Sequence, residues 1–220
     1  DCVAVGYCGE RGEGLMALTL VTGPAVEPVS VSEAKSHLRV DISDDDTLIG
    51  TLITVARAHV EQHLRRALVT QTWDLVLDGF PGAVLRLPLP PLVSVGSITY
   101  MDVDGAAGTV SAGDYVVDTD EEPGRVVLKS GETWTAEVLR EAAGVRVRFT
   151  AGYGNASAVP APIKQAILLL VGSLYENRED VLVAQGVTGI RVPVGVRAAV
   201  VLDRVWRAWG GGVMGPGWLL

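Results

Sequence analysis

The residues that could do chemistry are few. His59 and His63 stand four apart, a spacing that on a helix can ligate a metal. No glutamate or third ligand accompanies them in a metalloprotease pattern, so the pair reads as helix surface. Asp44, Asp45 and Asp46 are consecutive carboxylates and suggest a cation cluster. Adjacent helical residues point in different directions, so the run reads instead as the acidic start of a helix. Cys2 and Cys8 are the two cysteines, too few for a zinc site, which usually needs four ligands. Gly152-Tyr153-Gly154 has the glycines of a phosphate loop without its lysine, and reads as a turn from strand to helix. Asn155-Ala156-Ser157 matches a glycosylation sequon, which carries no meaning in a cytoplasmic chain. P-loop, nucleophile-elbow, zincin and EF-hand patterns are absent from the sequence. The expectation is a protein that is not an enzyme and has no metal and no cofactor.

Composition narrows the class further. The chain has 220 residues, enough for one large domain or one domain with an insertion. A hydrophobic fraction of 48% supports a buried core, and 20% charged residues is ordinary for a folded chain. The net charge is −8, which opposes binding to the DNA backbone, because that binding needs lysine and arginine. The charge is uneven. Thr70–Thr150 carries 12 acidic and 6 basic residues, whereas Ala151–Leu220 carries 4 and 6. The imbalance reads either as solvated surface or as two faces with different partners. No apolar run reaches the roughly 18 residues that span a bilayer, and no membrane partner is expected. The lack of a disulfide framework fits a reducing cytoplasm.

Periodicity predicts the elements that would position these residues. The fold class is α+β: a small helical bundle, with two N-terminal and two C-terminal helices, interrupted by an antiparallel β module. The expected divisions are an extension over 1–29, helices over 30–69, a β insertion over 70–150, helices over 151–209 and a tail over 210–220. Ser30-Val-Ser-Glu33 is a capping box, opening a helix to about Leu38. A second helix starts at Ser43–Asp46 and runs to about Arg66. Its apolar stripe is read as Leu48, Leu52, Val55, Ala56, Val60, Leu64 and Leu68.

Strands are expected over Thr72–Asp78, Val84–Leu87, Val93–Asp102, Tyr115–Val117, Arg125–Leu128 and Val145–Phe149. Asp104-Gly105 is a hairpin signal, and Pro88-Leu-Pro-Pro91 breaks a strand. Pro160 and Pro162 suit the first turn of a third helix, with Ile163, Ile167, Leu170, Val171 and Leu174 facing a core. A loop over Gln185–Ile190 and a last helix over Val194–Trp209 complete the bundle.

The two ends read differently from the body. Residues 1–15 are glycine-rich and lack periodicity. Either Met16 is the natural start, or residues 1–15 form an extension that orders only against a partner. At the other end, Trp206, Trp209 and Trp218 are three of the five tryptophans. Glycines keep the stretch after Trp209 from holding a structure alone. The apolar tail either packs on its own domain or docks on another protein. Docking is the expectation, through Trp206, Trp209, Val213, Met214, Trp218, Leu219 and Leu220.

A colinear set of segments resembles a known family. These are Val31-Ser-Glu-Ala-Lys-Ser-His-Leu-Arg-Val40, Asp44-Asp-Asp-Thr-Leu-Ile49, Gln71-Thr-Trp-Asp-Leu-Val-Leu-Asp-Gly-Phe-Pro81 and Leu87-Pro-Leu-Pro-Pro-Leu-Val-Ser-Val95. Phe149-Thr-Ala-Gly-Tyr-Gly154, Ile163-Lys-Gln-Ala-Ile-Leu-Leu-Leu170 and Tyr175-Glu-Asn-Arg-Glu179 extend the set. Together, over about residues 30–180, the chain resembles the phage head-tail connector (adaptor, or head-completion) proteins of tailed phages and gene transfer agents.

The resemblance implies a structural protein of the virion neck, assembled in the host cytoplasm. It implies a homo-oligomeric ring, twelve subunits in the family, under the portal protein. The ring would extend the DNA channel, pass DNA without specific binding and present a surface to a stopper or tail-terminator protein. An acidic lumen would help DNA slide. The alternative is a lower neck stopper or tail-completion protein. The tail is then expected to dock on the portal.

Overall fold

Ser30 starts the first helix, α1 (Val31–Leu38), through the expected capping box: its Oγ accepts from Glu33 N–H, and Glu33 Oε2 accepts from Ser30 N–H at 2.7 Å. These bonds hold the Glu33 carboxyl below the usual carboxylate range. Arg39 then turns left-handed (φ 58°) and ends the helix. The structure, a computed structural model, describes residues 4–7 and 16–177. Those residues fall into two units, one helical and one of β-strands.

The helical unit comprises described residues 25–69 and 153–177. Besides α1 it holds α2 (Asp46–Leu64) and α3 (Ala161–Glu176). One core joins them: Ala34 from α1, Ile49, Ile53, Ala56, Val60 and Leu64 from α2, and Ile163, Ala166, Ile167 and Val171 from α3. Burying each isoleucine stabilises by about 1.5–3 kcal/mol.

The stripe of α2 differs from the sequence reading at its first half. Leu48 and Val55, expected in the core, are 37% and 50% exposed, and Leu52 is half-buried. Ile49 and Ile53 are buried in their place. Two apolar rows run side by side on this helix, and packing against α3 selects one of them. The helix also stops at Leu64, two residues early, because Arg65 turns left-handed (φ 56°). The third helix has Pro162 in its first turn, where a missing N–H costs little, whereas Pro160, expected there too, is the capping residue just before it. Of its expected stripe, Ile163, Ile167, Leu170 and Val171 are buried and Leu174 is half-buried. The loop over Gln185–Ile190 and the helix over Val194–Trp209 lie outside the described residues. No helix among the described residues is long and apolar enough to cross a membrane.

The β unit holds β1 (Ala4–Tyr7), β2 (Met16–Thr22), β3 (Gln71–Leu77), β4 (Val84–Arg86), β5 (Leu92–Met101), β6 (Ala107–Thr109), β7 (Tyr115–Asp118), β8 (Arg125–Leu128) and β9 (Val145–Ala151). They form a six-stranded sheet, β1-β2-β3-β9-β5-β6, and a three-stranded sheet, β4-β8-β7. Every pairing is antiparallel. Strands β1, β2 and β6 were not read from the sequence. Gln71–Leu77 pairs with both Met16–Thr22 and Val145–Ala151, so a strand before the helices lies beside one after them.

Alternation decides which face of the large sheet is buried. On β9, Val145, Val147, Phe149 and Ala151 point inward, while Arg146 and Arg148 point out. Leu18, Leu75, Leu77 and Ile98 are also buried in this unit. Trp134 stacks on Phe80 with ring centres 5.0 Å apart, and donates its Nε1–H to Gly82 O at 2.6 Å. At Gly144 a Cβ would come within 2.6 Å of Asp78 O and 2.9 Å of Arg140 O, so this position admits no side chain without moving backbone.

Replacing Ile53 by Ala should destabilise the helical unit by about 2–5 kcal/mol, whereas Val55→Ala should change it by no more than about 0.5 kcal/mol. Urea denaturation followed by far-UV circular dichroism measures both. Equal losses would mean that the buried row of α2 has been misassigned.

Candidate interaction surfaces

The residues with chemical potential turn out to hold the fold. Asp46 Oδ1 accepts from Lys35 Nζ at 2.7 Å, which ties the start of α2 to α1. Asp45 accepts from the Tyr175 hydroxyl, which ties it to α3. Asp44 is exposed. Three adjacent carboxylates therefore diverge, as adjacent helix-start residues must. His59 is exposed on α2, and His63 is half-buried and engaged in an interaction of its own. Among the described residues no three His, Cys, Asp or Glu side chains come together in a way that could hold a metal ion.

Gly152-Tyr153-Gly154 is a turn, with both glycines at positive φ (130° and 116°). Asn155 caps the short 3-10 turn after it: its Oδ1 accepts from Ser157 N, Ala158 N and Ser157 Oγ. The expected docking residues Trp206, Trp209, Val213, Met214, Trp218, Leu219 and Leu220 lie outside the described residues, as do Cys2 and Cys8.

Tyr153 also closes the helical unit. Its N–H donates to Leu68 O at 3.1 Å, and its hydroxyl accepts from Arg66 Nη1 at 3.3 Å. Glu61 braces the same corner, accepting from Leu68 N–H at 2.9 Å and from Arg57 Nη1 at 2.6 Å. Arg57 in turn donates to Glu27 at 2.8 Å. Arg57 and Glu61 side chains are only 11% and 13% exposed, so these are partly desolvated, hydrogen-bonded charges, stronger than ordinary surface pairs.

Two surfaces could meet another protein. The first lies on α2. Its exposed residues Thr47, Leu48, Thr51, Thr54, Val55, Ala58, His59 and Gln62 include no Asp, Glu, Lys or Arg. Depletion of charge is a mark of the centre of an interface. The misread half-stripe, Leu48 and Val55, belongs to this face.

The second surface is the outer face of the six-stranded sheet. Asp74 on β3 is opposite Arg148 on β9, with Val76 opposite Arg146. Arg148 Nε donates to Asp74 Oδ1 at 2.8 Å and its Nη2 to Oδ2 at 2.9 Å, a two-pronged pair. Arg146 Nη1 adds a third bond to Oδ2 at 3.2 Å. The Asp74 side chain is 3% exposed, while Arg146 and Arg148 remain 55% and 48% exposed. The Arg148 hydrogen bond, opposed by burial, holds the Asp74 carboxyl below the usual carboxylate range. Around the pair stand Thr72, Thr99, Thr150 and Ser97, all half-buried. Strand alternation could have announced the outward arginines, but the carboxylate beneath them needed the β3–β9 register.

Residues 28–88 match the sequence profile of the family described as phage gp6-like head-tail connector protein. The fold is similar to a chain in a structure described as the virion of a native gene transfer agent particle, with TM-score 0.71 and 26% identity over 88% of this chain and 98% of that one. It is similar as well to a chain of the neck of a native gene transfer agent particle computed with C12 symmetry, with TM-score 0.69 and 27% identity over the same shares. A chain of the neck of an empty particle, computed with C6 symmetry, gives the same values. No curated protein sequence matches the chain significantly.

Asp74 yields a pH-dependent prediction. Its carboxyl has a lower pKa folded than unfolded, so its stabilisation is complete above the unfolded value, about 3.9. It is lost as pH falls through the lower folded value. Asp74→Asn should therefore cost about 1.5–3 kcal/mol at pH 7, with a smaller difference from the unsubstituted protein below about pH 4. Thermal melts at pH 7 and pH 3 measure it. A difference that stays constant with pH would refute the ionic account.

Proposed function

We propose that this chain is a structural subunit of the virion neck, the head-tail connection of a tailed particle. The observation that carries this reading is the joint likeness: a connector profile over residues 28–88, and neck chains matched over 98% of their own length. Symmetry in those necks, C6 and C12, supports assembly of this chain into an oligomeric ring. The described residues suit a structural part. Their polar clusters are consumed in bracing helices and strands, and two exposed faces remain for protein contacts.

Within that role, the finer reading is an adaptor. Twelve copies would form a ring beneath the portal, extend the DNA channel and offer the next surface to a stopper or tail-terminator protein. The net charge of −8 supports a channel through which DNA passes without specific binding. The apolar end of the chain, from Trp206 to Leu220, would dock on the portal, its tryptophans acting as anchors.

Purified portal rings mixed with this protein should gain a ring of density at their narrow end when viewed by electron microscopy. An unchanged portal, with the protein binding tail components instead, would replace the adaptor by a lower neck stopper or tail-completion protein. Deleting Gly210–Leu220 should weaken portal binding by at least about tenfold, a loss of ~1.4 kcal/mol. Undiminished binding of the truncated chain would refute docking by the tail.

A further inference from the structure

A ring of identical subunits cannot be closed by one self-complementary patch. It needs two different surfaces, one on each side of every subunit. The β unit offers two of opposite charge. We infer that Arg146 and Arg148 of one copy receive the acidic turn Asp118–Glu122 of the next copy. This inference rests on the ring reading above and names the contact that would build it.

The arginine side is prepared as a receptor for carboxylates. Asp74 is almost wholly buried beneath two half-exposed guanidiniums, and the bonds to it use two donors of Arg148 and one of Arg146. Each guanidinium has five N–H donors in a planar fork that matches a carboxylate. Several are left directed away from Asp74. Two cations over one anion leave a net positive charge. Anchoring also removes much of the rotamer freedom that a binding partner would otherwise have to freeze. The site stands on a module in which acidic residues outnumber basic ones two to one.

The acidic side is equally fixed. Arg125 on β8 pairs with Asp118 at 3.0 Å and with Glu121 at 2.7 Å. Asp118 also accepts from Asp120 N–H at 3.1 Å, which sets the turn. Asp120 and Glu122 are exposed. Asp118, Asp120 and Glu121 against one guanidinium already leave this turn negative. Surplus of opposite sign on two rigid parts of one fold is the complementarity a head-to-tail contact requires. Phosphate could also bind paired arginines, but the surrounding acidic module repels a DNA backbone.

The test is charge reversal read by ring assembly on purified portal, with the full chain. Asp120→Arg and Arg146→Glu should each lower ring occupancy by about tenfold or more. The double variant D120R/R146E should recover most of it. Circular dichroism melts establish that each variant folds. Should Arg146→Glu unfold the β unit, the milder pair Arg146→Gln and Asp120→Asn replaces it. The double neutral variant should then lose no more than either single one. Single reversals that assemble normally, or a double variant no better than the singles, would overturn the contact. So would an Arg146 variant that assembles rings but loses DNA retention at low salt, since the sheet face would then be a phosphate site. Unsubstituted protein that forms no ring on portal or tail components removes the ring reading itself. A normal ring indifferent to these charges removes this contact alone.

Discussion

The helical unit is made from two separated stretches of chain, and its integrity depends on the corner where they meet. There the backbone N–H of Tyr153 donates to Leu68 O, with Arg66 and Glu61 bracing the same corner. A chain that leaves a core and returns some eighty residues later must overcome loop-closure entropy before α2 and α3 can pack. The β unit meets that requirement from its own side. Its first and last inserted strands, β3 and β9, are hydrogen-bonded neighbours, with Gln71 opposite Ala151. Exit and return are therefore adjacent within each unit separately, as in inserted domains whose termini lie close together.

Charge in this molecule is ordered by burial. Asp45 and Asp74 each sit where a second element brings a donor, and Glu61 accepts from the chain just after its own helix. Such groups cannot be left unpaired away from water without a large penalty, so their positions constrain the packing around them. The remaining surplus of acid stays on exposed turns such as Asp118–Glu122. A structural protein of a symmetric particle gains from this division. Internal pairs fix the shape, while exposed charge and one uncharged helix face remain to distinguish neighbours.

The sequence was legible where local chemistry alone sets the outcome. Ser30 and Glu33 cap α1 through atoms three residues apart, and Asp104-Gly105 turns between β5 and β6 with Gly105 at φ 85°. A strand was expected over Val145–Phe149, and the structure has one over Val145–Ala151, with the valines inward and the arginines outward. The strand at Met16–Thr22 escaped because nothing local requires it. It is a strand because β3 offers an edge, and that edge comes from a segment fifty residues away. Leu48 and Val55 were placed in the core for a related reason. Helix α2 is apolar on more than one row, and 3.6-residue spacing fits both.

The sequence by itself determined the three described helices, six of the strands, the capping box of α1, the Asp104-Gly105 turn, the acidic balance and the resemblance to connector proteins. These depend on neighbours within a few residues or on totals that no folding alters. Only the tertiary structure decided which row of α2 is buried, that Asp45 and Asp46 serve different helices, and that Asp74 lies under Arg146 and Arg148. Each of those depends on pairing between segments far apart in the chain, and the free energy that selects one pairing exists only once the partner is in place.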